Sequence, residues 1–139
     1  MERLVAAVLI GLVAIGVAAV IERRRRREPP TQPAWETPAQ VDRADFPRPA
    51  APWLVVVFSS ATCSTCARVV EAAQAVASAD VEVVDVAVAV WPELHRRYRI
   101  DAVPLTVIAD GAGVVRADFI GPVAATDLSA AVARLRAGG

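Results

Sequence analysis

The apolar positions follow two kinds of pattern. Leu4 to Ile21 is an unbroken run of Leu, Val, Ala, Ile and Gly. At about 1.5 Å per residue it matches roughly the hydrocarbon thickness of a bilayer, and it lacks the polar face a core helix keeps, so it predicts one transmembrane helix. Farther on, shorter apolar runs alternate with amphipathic stretches. Trp53 to Phe58 is continuous and rich in β-branched residues, the pattern of a central strand covered on both faces. After the hydroxyl-rich turn Ser59 to Thr62, the stretch Cys66 to Ala79 contains neither Gly nor Pro and predicts a helix capped by those hydroxyls. Val81 to Val90 predicts a second strand. Pro92, at a favoured first helical position, opens a short helix through Glu93 to Tyr98. Leu105 to Ala109 predicts a third strand, and Gly111 to Gly113 turns the chain into an antiparallel fourth, Val114 to Ile120. Gly121 and Pro122 break the chain before a last helix, Thr126 to Ala137, with Thr126 or Asp127 near its N-cap. The order β-α-β-α-β-β-α describes an α/β domain, a mixed sheet with helices on both faces.

Between the first run and the domain the pattern changes. Pro29, Pro30, Pro33, Pro38, Pro47, Pro49 and Pro52 lie here, out of ten prolines in the chain. A stretch so rich in Pro reads as an extended, semi-rigid spacer. The chain divides into residues 1–22, a transmembrane helix; 23–51, an Arg- and Pro-rich linker; and 52–139, the globular domain. Within the linker, Val41 to Phe46 is expected to add a short edge strand to the domain.

Charge orients the anchor. Arg23 to Arg27 follow the apolar run directly, whereas only Arg3 and the amino terminus, offset by Glu2, precede it. A signal peptide has the opposite order. The positive-inside rule then keeps the C-terminal side in the cytoplasm of a single-pass cell-membrane protein, with an extracytoplasmic domain as the alternative. The Arg run would also touch anionic headgroups.

Composition narrows the chemistry. The 139 residues are 55% hydrophobic, enough for one domain plus an appendage and too apolar for a disordered chain. All 15 basic residues are Arg, which excludes a phosphate-loop lysine, a Schiff-base lysine and a Ser-Lys dyad. They balance 15 acidic residues, so binding of nucleic acid by bulk basicity is excluded too. Two Cys and one His cannot close a four-ligand zinc site, and two Cys are too few for a disulfide scaffold. No cofactor and no resident metal are expected.

What remains is Cys63-Ser64-Thr65-Cys66, where a buried strand hands over to a helix. Backbone N–H groups and the helix dipole favour a thiolate in that opening turn, and the hydroxyls of Thr62, Ser64 and Thr65 surround it. These terms draw an ordinary thiol towards neutrality and make Cys63 the nucleophile. Cys66, one turn on, is placed to attack a mixed disulfide formed at Cys63. The competing reading is a metal-thiolate protein holding copper or zinc with the same sulfurs, since Thr62 to Val76 also resembles the metal loop of heavy-metal-associated domains. Those domains usually carry Met where this chain has Ala61.

From Val41 to Leu135 the chain resembles the thioredoxin-like family. The resemblance rests on the strand ending at Phe58 with the Cys63–Cys66 motif after it, on Tyr98-Arg99-Ile100-Asp101-Ala102-Val103-Pro104-Leu105-Thr106, and on Gly121 between hairpin and last helix. It implies a thiol–disulfide oxidoreductase acting on protein thiols and disulfides with a redox partner of unknown identity. It also implies a cis Pro104 beside the sulfurs, and substrate contacts at Thr62, Val103 and Pro104, the Val103 backbone pairing with an extended substrate. Three positions depart from the family. Its usual Trp is Thr62, its Gly-Pro is Ser64-Thr65, and its buried acid is Val57. These departures leave an adaptor without efficient turnover as a further alternative. Without gaps the family's buried Lys aligns with Asp85, which would make Asp85 an internal base; with a two-residue insertion Asp85 matches a surface acid, the preferred reading. His95, Arg96, Arg97 and Arg99 are expected on a solvated face, Trp91 at core or rim, and Arg68 one turn into the first helix.

Overall fold

The computed structural model describes residues 35–138, together with Met1, Gly16 and Val17. Apart from those last two, the expected spanning helix Leu4 to Ile21 lies outside the described residues, as does the linker through Ala34. Among the described residues no helix is long and apolar enough to cross a membrane. The fold is carried by the unit Trp35–Gly139.

Its sheet is built from β1 (Trp53–Ser59), β2 (Val81–Ala87), β3 (Leu105–Asp110) and β4 (Val115–Ile120) in the order β2-β1-β3-β4. The helices are α1 (Cys66–Gln74), α2 (Pro92–Arg97) and α3 (Ala125–Gly138). β1 pairs parallel with β2 and antiparallel with β3, and β3 pairs antiparallel with β4, so the sheet is mixed as the element order implied. The continuous apolar run of β1 is explained by its place. Leu54 through Phe58 are all 0% exposed, alternate residues entering two different cores. Val55 and Val57 meet Val69 and Ala73 of α1 and Leu128, Ala131 and Val132 of α3. Leu54, Val56 and Phe58 meet Leu94 of α2 with Val41 and Phe46. Burying each such side chain contributes roughly 1.5–3 kcal/mol.

Three expectations about element ends change. β2 stops at Ala87, because the chain turns over 88–90 with Val88 N–H donating to the Ser59 carbonyl at 2.9 Å and Val90 and Trp91 both donating to Ala87. α1 ends at Gln74, short of Ala79. α3 begins at Ala125, so Thr126 and Asp127 lie inside its first turn and do not cap it. A fourth change concerns a side chain. His95 is 7% exposed, its Nε2 lies 2.7 Å from the Val86 carbonyl, and its ring stands edge-on to Phe58 at 5.4 Å. It faces the core of α2 and leaves the solvated face to Arg96, Arg97 and Arg99.

The expected edge strand Val41 to Phe46 is replaced by a strap. Only Gln40 bridges Val114, after which Asp42 caps a single 3-10 turn, Arg43–Asp45, accepting from Ala44 N–H. The strap crosses the sheet instead of extending it. Val41 N–H donates to the Gly113 carbonyl at 2.8 Å, Arg43 donates to the Asp110 and Ala51 carbonyls at 3.0 Å each, and Arg48 N–H donates to Glu82 Oε1 at 2.7 Å. Gly113 permits the crossing. Its φ is +82°, and a Cβ there would sit 2.0 Å from the Val41 carbonyl oxygen.

Candidate active site

β1 ends at Ser59, and the chain from Ser60 to Thr65 leads into the head of α1. Cys66 is the first residue of α1 and is 3% exposed; Cys63 stands three residues earlier and is partly exposed. The two are joined as a disulfide with Cα atoms 5.5 Å apart. Cys63 therefore precedes the helix and is not in its opening turn. Thr65 is the N-cap, yet its side chain makes no capping bond; its Oγ1 lies 3.7 Å from Cys63 Sγ. Of the hydroxyls expected around the sulfur, Thr65 alone is placed on it. Thr62 is exposed in the turn before Cys63, and its Oγ1 lies 3.0 Å from Ser60 Oγ.

The Val103–Pro104 peptide is cis, as the motif implied. Leu105 pairs with Phe58, so the buried Pro104 lies at the end of the sheet from which the Cys63 loop departs. Gly121, at φ +89°, donates its N–H to the Pro104 carbonyl at 2.8 Å. Val103 takes no backbone hydrogen bond to another backbone group among the described residues.

A cavity of about 420 Å³ opens beside the sulfurs, lined by Ser59, Cys63, Cys66, Ala67, Val70 and Asp85 among others. Thr62, Val103 and Pro104 are not among its lining residues. Asp85 is there because β2 pairs with β1 in ungapped register, Val57 opposite Asp85. Asp85 is exposed, as the preferred reading of it as a surface acid expects. Ser59 Oγ–H donates to Asp85 Oδ1. Sequence reading missed Ser59, taking it as turn; its signal was the parity of the strand, which puts Ser59 on the same face as Val57. Thr106 shares that face, opposite Val57, is 0% exposed, and its hydroxyl has no hydrogen-bond partner. Arg68 lines a different groove, with Glu71 and residues 123–125, away from the sulfur cavity. Trp91 sits at the rim, 41% exposed.

No family model and no curated protein matches the chain. Solved structures do. The chain is similar to thioredoxin-2 of a malaria parasite, a component of that parasite's protein secretion machinery, with a TM-score of 0.53 and 15% identity over 60% of this chain and 82% of that one. It is also similar to a chloroplastic thioredoxin z, with a TM-score of 0.56 and 26% identity over 63% of this chain and 80% of that one. The fold is a thioredoxin fold. On that fold, a bonded cysteine pair with one sulfur accessible and one buried supports thiol–disulfide oxidoreductase chemistry.

Proposed function

We propose that this chain is a membrane-anchored thiol–disulfide oxidoreductase that reduces protein disulfides. One observation carries the reading: Cys63 and Cys66 are disulfide-bonded at the head of α1, with Cys63 partly exposed and Cys66 buried. In the dithiol state, Cys63 thiolate attacks a substrate disulfide, forms a mixed disulfide and releases one substrate thiolate. Cys66 then attacks Cys63 Sγ, closing the observed bond and releasing the second substrate sulfur. The asymmetry of exposure supports this order, because a protein substrate reaches the partly exposed Cys63 before the buried Cys66.

The substrate lies beside Thr62 and along Val103 and Pro104. Support for this placement comes from the unpartnered Val103 backbone, which suits pairing with an extended chain, and from Pro104, which offers no N–H to sulfur. Support for the anchor comes from sequence: the apolar run Leu4 to Ile21, with Arg23 to Arg27 after it holding the domain in the reducing cytoplasm.

Turnover of a model protein disulfide by the full chain in detergent tests the chemistry. Cys63→Ser abolishes it, and Cys66→Ser accumulates a mixed disulfide on Cys63. Equal rates for wild type and Cys63→Ser would end the claim, and one equivalent of copper or zinc on protein purified without thiols would favour metal carriage. Labelling of an introduced surface cysteine in intact cells, in a background lacking Cys63 and Cys66, reads sidedness. Labelling from outside would overturn the cytoplasmic placement.

A further inference from the structure

β2 is an edge strand, and half of its backbone faces outward. Trp53 N–H donates to the Asp80 carbonyl at 3.0 Å and Val88 N–H to the Ser59 carbonyl at 2.9 Å. In a parallel ladder these two bonds fix the parity: even-numbered residues of β2 turn their backbone groups to β1, and odd-numbered ones turn theirs away. The ends of the outer row are satisfied locally. Val81 N–H donates to Ser78 Oγ, the Val81 carbonyl accepts from Ser78 N–H, and the Ala87 carbonyl accepts from Val90 and Trp91. Between these ends the N–H and carbonyl of Val83 and of Asp85, and the Ala87 N–H, take no hydrogen bond from protein among the described residues. The strap leaves this row uncovered, because it reaches β2 only at its start, through Arg48 to Glu82 and to the Ser78 and Ala79 carbonyls.

Two further observations mark the edge. Val90 and Trp91, in the turn folded onto the Ala87 carbonyl, are 66% and 41% exposed. Asp85 is exposed, Ser59 Oγ–H occupies only its Oδ1, and no cation pairs with it among the described residues. The edge also borders the sulfurs, since Asp85 and Ala87 line the cavity that Cys63 and Cys66 line.

We propose that the outer edge of β2 takes up an extended, basic segment of the substrate protein as an added antiparallel strand. The inference rests on the exchange chemistry proposed above and names its substrate class, a polypeptide with a free strand near its disulfide. Such a strand exchanges both backbone bonds with Val83 and with Asp85 and offers a carbonyl to Ala87 N–H. Its residue opposite Asp85 is Lys or Arg, and an apolar residue nearer its N-terminus covers Val90 and Trp91. β3, which Pro104 precedes, lies on the far side of β1 from β2. A substrate disulfide joins two segments, and two pairing sites on opposite sides of β1 suit one each.

Other occupants fit less well. Upstream in this chain, Pro29, Pro30 and Pro33 lack the N–H that a ladder needs. A second copy in registers centred on residues 84 to 86 brings the two Asp85 carboxylates opposite or diagonal to each other. Centred on Val83, it calls on the Val81 groups that Ser78 already holds.

The probe is a short labelled peptide of alternating Val and Thr, free of cysteine, with a central Lys and a Trp nearer its N-terminus. Binding to the full disulfide-bonded chain in detergent is read by fluorescence anisotropy. N-methylation at Lys and at the residue two positions along, whose nitrogens face β2, weakens binding about tenfold, whereas methylation at the intervening positions changes it by less than about twofold. Replacing Lys by Glu weakens binding about threefold, and Asp85→Lys reverses the order of these two peptides. Equal binding of the two methylated peptides, or an unchanged charge preference in Asp85→Lys, overturns the proposal. If Asp85→Lys does not fold, the methylated pair on the wild type decides alone. A dimer of the chain that the peptide does not dissociate gives the edge to a second copy and overturns the proposal too. Parity-dependent binding without turnover of a disulfide-bearing form of the peptide overturns the exchange chemistry instead, so the two failures are distinct.

Discussion

Thr106 carries a hydroxyl that is fully buried and without a partner, and it stands opposite Val57 on the face beneath α1. An unsatisfied buried group of this kind costs about 1–3 kcal/mol. Thr106→Val, which keeps the branched shape, therefore stabilises the oxidised protein by about 1 kcal/mol in urea unfolding. Tyr98 offers a second measurement. Burial, and then its hydrogen bond to Asp45, push its phenol up to about 12 from the ordinary 10.0. The neutral phenol is the form the fold prefers, so this contribution to stability is complete below pH 10 and is lost as pH rises through about 12. Tyr98 is the only tyrosine, so phenolate absorbance reports it alone: a midpoint near 12 folded, near 10 in denaturant. At this scale the sequence was legible where chemistry was local. The cysteine pair announced itself by spacing, whereas Asp85 and Ser59 met only when β2 found its register on β1. His95 was misread because nothing in Glu93-Leu94-His95-Arg96 marks which side of a short helix meets Phe58.

Among elements, the strap was the one the pattern misplaced. Val41 to Phe46 was expected as an added edge strand, but buried Arg43 turns it across the sheet to a partner on β2. Arg43 Nη2 lies 3.7 Å from Glu82 Oε2, with side chains 8% and 5% exposed. Desolvation draws the Arg43 guanidinium below its ordinary value, while Glu82 and Asp110 oppose that fall. It stays charged, because arginine begins so high. Removing one member of a buried pair strands the other, at about 3–5 kcal/mol. Arg43→Ala is therefore strongly destabilising, and the double change Arg43→Met with Glu82→Leu recovers most of the loss in urea unfolding. The strands were read more accurately than the helix ends, since the runs of β1 and β3 are fixed by burial, whereas the end of α1 and the start of α3 depend on turns set by neighbours.

At the scale of the molecule, one face of the sheet is sealed by α1 and α3, the other by α2 and the strap. Val41 at 1% and Phe46 at 4% exposure are core residues contributed from what composition marked as linker. Deleting the chain through residue 51 thus opens that face, and such a protein unfolds at lower urea than one cut just before Trp35. Gly113→Ala loosens the same closure, because its Cβ would collide with the Val41 carbonyl. The strap has a mechanical meaning as well. Tension applied through the segment upstream of Trp35 meets the bridge at Gln40, the Val41–Gly113 bond and the Arg43 clamp before it reaches β1. The load passes into the β3–β4 hairpin, and the sulfur-bearing loop beyond β1 is mechanically shielded from whatever holds the front of the chain.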